Sequence, residues 1–390
     1  MNRMYFGVMA RCIGLIILVS LLGSCSGEKT TQEEPSLPLI DGFQSYSLDI
    51  KAEEIGLSEL IKSIEITRLE ETPESLLGYV RQIEFYQNQM IVPGSEGNIY
   101  IFSEGGDFIR KINRKGEGPE EYSGWNDVWL QNGQICLFTY DQHIKRYDVE
   151  GNFISTDRVP QNATHLHPFN GGYALDMNYS LTNDSLKYMV AILDSEMKVS
   201  NTFLPFEKFP DFGISMSNKS VFPVGDDVFF LQLGKDSVYK IGADSLMPYI
   251  HYDFGEDWYF QPGVEFNTMM MVEAEKSGQV WFMNNRIGEN YIYLRAVSGA
   301  PAHNFFIDRR SKSTVKIDDS SYADQRYGIS SIGWDGDDFL FTMQSTQLES
   351  LLGKLDENQY QFIGSANLDM IESSENPVLV RMKLKESSTW

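Results

Sequence analysis

Asn98-Ile99-Tyr100-Ile101-Phe102, followed after a short polar gap by Gly106-Asp107-Phe108-Ile109, returns roughly 45 residues later as His143-Ile144-Lys145-Arg146-Tyr147 followed by Gly151-Asn152-Phe153-Ile154. Each copy is an alternating strand, a polar turn holding glycine, and a second strand that opens on an aromatic-aliphatic pair. That is the pattern of an antiparallel hairpin with one buried face. Looser copies follow at residues 192–199 (ILDSEMKV), 238–244 (VYKIGAD) and, after an insertion, 305–311 (FFIDRRS).

Between these outer hairpins lie inner ones. Their turns are Asn132-Gly133, Gly225-Asp226-Asp227 and Asp335-Gly336-Asp337-Asp338, residue types that tolerate positive φ between apolar runs. Four strands per period at this spacing predict a β-propeller, an all-β fold of four-stranded antiparallel blades. A β-sandwich would not explain the fixed offset. From Gly78 onward the chain holds about six such units, which predicts a six-bladed ring over a single domain, residues 41–390. Two stretches interrupt it with helical spacing: 258–278, through Met269, Met270, Met271, Val272 and Ala274, and 344–375, through Leu348, Leu351 and Leu352. They read equally as lids, partner surfaces or packing. An open ring would leave an unpaired edge, so the first and last strands are expected to share a blade. The candidates are Ile64-Glu65-Ile66-Thr67-Arg68-Leu69 and Val378-Leu379-Val380-Arg381-Met382-Lys383-Leu384.

The chain opens differently. Arg3 and Arg11 supply a positive n-region ahead of a short apolar run from Cys12 to Leu22, too short to span a bilayer, which ends in Leu22-Gly23-Ser24-Cys25. Residues 1–24 read as a lipoprotein signal peptide and Cys25 as the thiol that takes the lipid; an ordinary cleaved signal beside a chance cysteine is the rival. Residues 25–40, polar and carrying Pro35 and Pro38, suit a flexible lipidated tether. The expected location is the cell envelope, lipid-anchored, at the outer membrane. With Cys12 and Cys25 so assigned, Cys136 alone remains, in the apolar run Gln134-Ile135-Cys136-Leu137-Phe138, and a buried inert thiol is expected. The net charge of −23 becomes more negative once Arg3 and Arg11 leave, which argues against a nucleic-acid partner.

Four segments resemble the six-bladed β-propeller lipoproteins of Gram-negative cell envelopes, related in architecture to NHL-type propellers. They are Leu69-Glu70-Glu71-Thr72-Pro73, Gly106-Asp107-Phe108-Ile109-Arg110-Lys111-Ile112, Gly116-Glu117-Gly118-Pro119-Glu120-Glu121-Tyr122 and Glu375-Asn376-Pro377-Val378-Leu379-Val380. The resemblance implies an envelope location and a propeller, and it carries no catalytic residues onto this chain.

Chemistry-bearing motifs are sparse. Gly116, Gly118 and Pro119 suggest a phosphate cradle only superficially, because the Lys-Ser/Thr end is missing and Pro119 lacks a backbone donor. A rigid inter-blade turn is expected instead, with Glu121 or Tyr122 bonded to a neighbouring blade. His165 and His167 alternate on one strand face and have no identifiable third metal ligand. Asp335-Gly336-Asp337-Asp338 is a fragment of a calcium loop without the distal Glu, and a tight turn explains it. No cofactor follows, calcium being the one ion the composition raises at all. Trp125, Trp129, Trp258, Tyr259, Phe260 and Trp281 offer aromatic platforms for a sugar or peptide, or else blade core.

The functional expectation is therefore a binding or scaffold propeller, held to the membrane through its lipid, that engages a glycan, peptide or envelope-protein partner through one face of the ring without catalysis. The alternative is a propeller hydrolase or lyase with a channel-bound divalent cation.

Overall fold

A computed structural model describes residues 42–390, apart from 183–184, 211–218, 265–266, 268, 300–301, 323–324 and 327. The expected signal (1–24), Cys25 and the tether (25–40) lie outside the described residues.

Apart from a small two-stranded sheet, Ser320–Tyr322 with Gln325–Arg326, the described strands form six blades in a ring. Blade 1 comprises Glu84–Tyr86, Gln89–Pro93, Asn98–Ser103 and Phe108–Asn113. Blade 2 comprises Trp125–Gln131, Gln134–Thr139, His143–Tyr147 and Phe153–Arg158. Blade 3 comprises His165–Phe169, Gly172–Asp176, Tyr188–Leu193 and Val199–Pro205. Blade 4 comprises Val221–Val224, Asp227–Leu231, Ser237–Ile241 and Leu246–Asp253. Blade 5 comprises Phe282–Ile287, Tyr291–Val297, His303–Asp308 and Thr314–Asp318. Blade 6 is completed across the ends of the ring: Ser330–Asp335, Asp338–Met343 and Val378–Leu384 are followed by Ile61–Arg68 from the start of the chain.

That closure joins the two segments expected to share a blade. Val378 pairs with Arg68, Val380 with Ile66 and Met382 with Ile64, antiparallel. Segments that carried the resemblance meet at the same seam. The Glu71 carboxylate accepts from the Glu375 backbone N–H at 2.6 Å and the Ser374 hydroxyl at 2.9 Å. Glu70 accepts from the Phe108 N–H at 2.8 Å.

Four strands per blade proves incomplete for half the ring. Gln44–Ser47 adds in parallel to the outer strand of blade 4, Glu54–Gly56 to blade 5, and Tyr360–Phe362 to blade 6. These additions are three or four residues long, so they show almost no alternation, and they attach through the backbone at an edge that would otherwise stay unpaired.

The two faces of the ring differ. First and second strands of each blade are joined by tight turns such as Asn132-Gly133, whose φ values of 52° and 75° place both residues in the left-handed region of a two-residue hairpin. Connections between second and third strands, and between blades, gather on the opposite face and include the longest, such as residues 344–377. That face carries helix Met270–Ser277, with Met270 and Ala274 buried, and helices Leu348–Leu352 and Leu368–Glu372. Leu348, Leu351, Leu352 and Ile371 pack into the core shared by blades 5 and 6.

Between blades, apolar faces interdigitate. Ile91, Ile99 and Ile101 of blade 1 meet Val128, Ile135 and Leu137 of blade 2. Each such side chain contributes about 1.5–3 kcal/mol on burial. No helix among the described residues is long and apolar enough to cross a membrane.

Candidate functional site

In all six blades the first strand is innermost, and together these strands line a central channel of about 1510 Å³. An inner strand has apolar neighbours within its blade but faces the lumen, so polar side chains are tolerated there that a fully buried strand would exclude.

Some of these polar groups tie the ring together. Gln82 Nε2 donates to the Val128 carbonyl at 2.8 Å, linking blades 1 and 2. Asp127 of blade 2 contacts His165 Nδ1 at 3.0 Å and accepts the Leu166 N–H of blade 3 at 2.8 Å. Ser220, just ahead of blade 4, donates to Asp176 of blade 3 at 2.6 Å. Asn285 of blade 5 donates to Tyr252 of blade 4 at 3.1 Å. Arg286 Nε donates to the Ser331 carbonyl of blade 6 at 3.2 Å, and Ser330 to the Val80 carbonyl ahead of blade 1 at 2.8 Å. Every inter-blade seam thus carries a polar bond, and partnered buried polar groups specify one arrangement of the blades.

The lining also holds ionisable groups on which burial acts. Burial pushes the Glu84 carboxyl up, although Gln82 bonds it at 2.6 Å and the Lys219 amine acts in the opposite sense. Lys219 itself donates to the Val128 carbonyl at 3.4 Å. His167 is pushed down to about 3, first by burial and then by Lys219, and its Nδ1 is buried with no hydrogen-bond partner. Burial likewise lowers the Arg286 guanidinium, whose side chain retains some surface open to the lumen. His165 and His167 both line the channel. Among the described residues, no group of three or more His, Cys, Asp or Glu is placed to hold a metal.

Of the aromatic platforms expected from sequence, Trp125 and Trp129 line the channel. The other four lie elsewhere. Trp258 is buried and stacked on Phe254, with ring centroids 5.9 Å apart, and Phe260 packs beside it. Tyr259 bonds Glu273 at 2.9 Å on the helical insertion, and Trp281 packs on Phe282. Tyr79 and Tyr140, which sequence reasoning did not single out, line the channel and are 63% and 59% exposed.

The Gly116–Tyr122 element spans blades 1 and 2. Gly118 N–H donates to Glu121 Oε2 at 2.9 Å, and a Cβ at Gly116 would sit 1.9 Å from that same oxygen. Tyr122 Oη donates to the Gly97 carbonyl of blade 1 at 2.9 Å while its ring packs on Trp125 and Tyr147. Lys145 donates to the Pro119 and Glu121 carbonyls. The Pro119 and Glu121 carbonyls and the Glu121 carboxylate are thereby engaged with the protein itself. Asp335-Gly336-Asp337-Asp338 is the first turn of blade 6, with Asp335 paired to Arg381 and Asp337 accepting from Asn290.

Glu84, Asp127, Lys219, Arg286 and Arg295 were missed as site residues. A usable signal existed in Asn284-Asn285-Arg286, a polar run inside a strand at the start of a repeat, where the inner position accounts for it.

No curated protein matches the sequence significantly. Among solved structures, a protein from Bacteroides fragilis NCTC 9343 that is provisionally described as exported aligns with a TM-score of 0.70 at 16% identity, over 88% of this chain and 100% of that one. A likeness at that identity speaks for the fold alone. The computationally designed Ika8 protein aligns at a TM-score of 0.37 and 9% identity, over 72% of each chain, and nothing rests on it. A family model described as "Domain of unknown function (DUF4934)" matches residues 45–383, from the first edge strand to the strand that closes the ring. The chain belongs to that family.

Proposed function

We propose that this chain is a binding propeller of the cell envelope, anchored at the outer membrane through a lipid on Cys25, akin in architecture to NHL-type propeller lipoproteins. It engages a glycan, peptide or envelope-protein partner at the central channel, entered from the face that carries the long connections, and it performs no chemistry on that partner. The observation that carries this reading is the channel lining, in which Trp125, Tyr79 and Tyr140 stand beside charged and amide side chains contributed by blades 1, 2, 5 and 6. Concave sites with aromatic walls and a few convergent polar groups are where ligands dock. The signal-like residues 1–24 and Leu22-Gly23-Ser24-Cys25 support the anchor.

The experiment has two arms. Metabolic labelling with a clickable fatty acid should mark the wild-type chain and not Cys25→Ser. A glycan and peptide panel screened by intrinsic tryptophan fluorescence should yield a ligand whose binding is weakened by Trp125→Ala and which is recovered chemically unchanged. A second reading, a hydrolase or lyase, draws on Glu84, whose raised carboxyl faces the lumen near Lys219. Turnover of a panel compound that is abolished by Glu84→Gln would replace the first reading with this one.

A further inference from the structure

The chain carries 55 acids against 32 lysines and arginines. Outside the channel, Arg110 pairs with Glu150, Arg146 with Asp157, Lys240 with Asp227, and Arg381 with Asp335. The cations of the channel are not paired in this way. Arg81, Lys219, Arg286 and Arg295 all line it, and among the described residues none has a carboxylate oxygen within 4.0 Å.

Two of the four are built into one wall. Asn284 and Arg286 alternate along the inner strand of blade 5, and their cross-strand partners are Arg295 and Tyr293. With a side-chain period of two, Arg286 and Arg295 project from the same face of the blade. Arg286 is held by neutral acceptors: Nε by the Ser331 carbonyl, and Nη1 by Asn284 Oδ1 and the Asn285 carbonyl, each at 3.2 Å. Among the described residues no protein acceptor takes its Nη2. A guanidinium fixed this way at the channel wall keeps an N–H pair for a ligand at little further loss of side-chain freedom. It also bears a desolvation cost that an incoming anion would offset.

Resting on the channel reading above, we infer that the channel ligand is an acidic saccharide whose ring carboxylate is received by Arg286 and Arg295. Planar guanidinium groups match a carboxylate in geometry and charge. Asp127 and Glu289 line the same lumen and limit the negative charge the site accepts, which favours a single carboxylate over a doubly charged phosphate. The exposed rings of Tyr79 and Tyr140 are flat faces for sugar stacking, and Asn126 and Asn284 are amides suited to ring hydroxyls.

The test uses the full chain and isothermal titration, with hexuronate oligomers, their methyl esters, the neutral hexose oligomers, a peptide with a free C-terminus, and inorganic phosphate as probes. The uronate should bind. Esterification, Arg286→Gln and Arg295→Gln should each weaken it about tenfold or more, while Arg110→Gln leaves it unchanged. If Arg286→Gln misfolds through loss of its bond to Ser331, Arg295→Gln and the ester still decide the matter. Neutral hexose binding as tightly as uronate, with sensitivity to Trp125→Ala, overturns the carboxylate inference and leaves the channel reading standing. Tighter binding of phosphate or of the peptide overturns it equally, and so does failure of every uronate to bind.

Discussion

Asn376 Oδ1 accepts the backbone N–H of Leu77 at 2.6 Å, across 299 residues of chain. The same side chain donates through Nδ2 to the carbonyls of Leu69, Glu70 and Ser75 at 3.2, 3.1 and 2.9 Å. Asn376 is 1% exposed, so a single buried amide fastens the approach to the last strand onto the exit from the first. Asn376→Ala would leave one N–H and several carbonyls there without partners. A loss of about 2–4 kcal/mol is expected, read as a lower denaturant midpoint with unchanged slope. An unchanged midpoint would remove Asn376 from the latch.

Gly106 sits beside the same seam. Its φ is +89°, and a Cβ there would lie 1.8 Å from the Arg68 carbonyl oxygen. Gly106→Ala therefore has to displace backbone, and a cost of about 2–3 kcal/mol is expected. Gly336 has φ +57° with nothing within 4 Å of the added atom, so Gly336→Ala should cost only about 1 kcal/mol. Thermal melts of the two variants side by side check the difference, and equal melting temperatures would contradict it.

His167 gives a pH dependence with a definite sign. Its imidazole is held down to about 3 by burial, whereas in the unfolded chain it protonates near 6.5. Between those values only the unfolded state takes up the proton, so this residue's contribution is fully present above about pH 6.5 and declines as the pH falls toward 3, at up to about 1.4 kcal/mol per pH unit. His167→Gln should flatten that part of the stability profile. Imidazole nitrogen shifts showing His167 protonated at pH 6 in the native protein would refute the account.

Cys136 lies fully buried in the second strand of blade 2, and burial raises its thiol to about 11. Native protein at pH 8 should leave this thiol unmodified by iodoacetamide over hours, with stoichiometric labelling once guanidinium unfolds the ring. Mass spectrometry reads both states. Rapid native labelling would show the blade opening locally.

The blades were legible because several repeats write the same two local devices. Ser103, Asp148, Asp194 and Asp308 stand at the ends of the third strands of blades 1, 2, 3 and 5, and each side-chain oxygen accepts a backbone N–H of the turn that follows. A register shift recurs at Phe102, Tyr147 and Leu193, aromatic or aliphatic residues at or next to the ends of the third strands of blades 1, 2 and 3. Both devices depend on nearby residue types, so a reader of the sequence meets them. The edge strands depend on backbone pairing to residues far away, and short segments such as Glu54–Gly56 leave no periodic trace. The channel was harder for a related reason. Arg286 and Lys219 acquire their setting from different blades, and spacing along the chain says nothing of who stands opposite whom across the lumen. The tryptophans show the same gap: Trp125 and Trp258 look alike in sequence, yet one lines the lumen and the other is stacked away from it.

The opening strands have consequences for the order in which the molecule can assemble. Ser45 waits for His251, Ile55 for Ile317, and Ile66 for Val380, so the earliest synthesised pairing segments find their partners only when the latest have been made. Blades 1 to 3 need nothing from beyond their own residues and can form in turn as the polypeptide emerges. The stretch from Gln44 to Arg68 stays unpaired throughout that time, an extended template that a vectorially delivered chain must carry without aggregating until its final strand arrives.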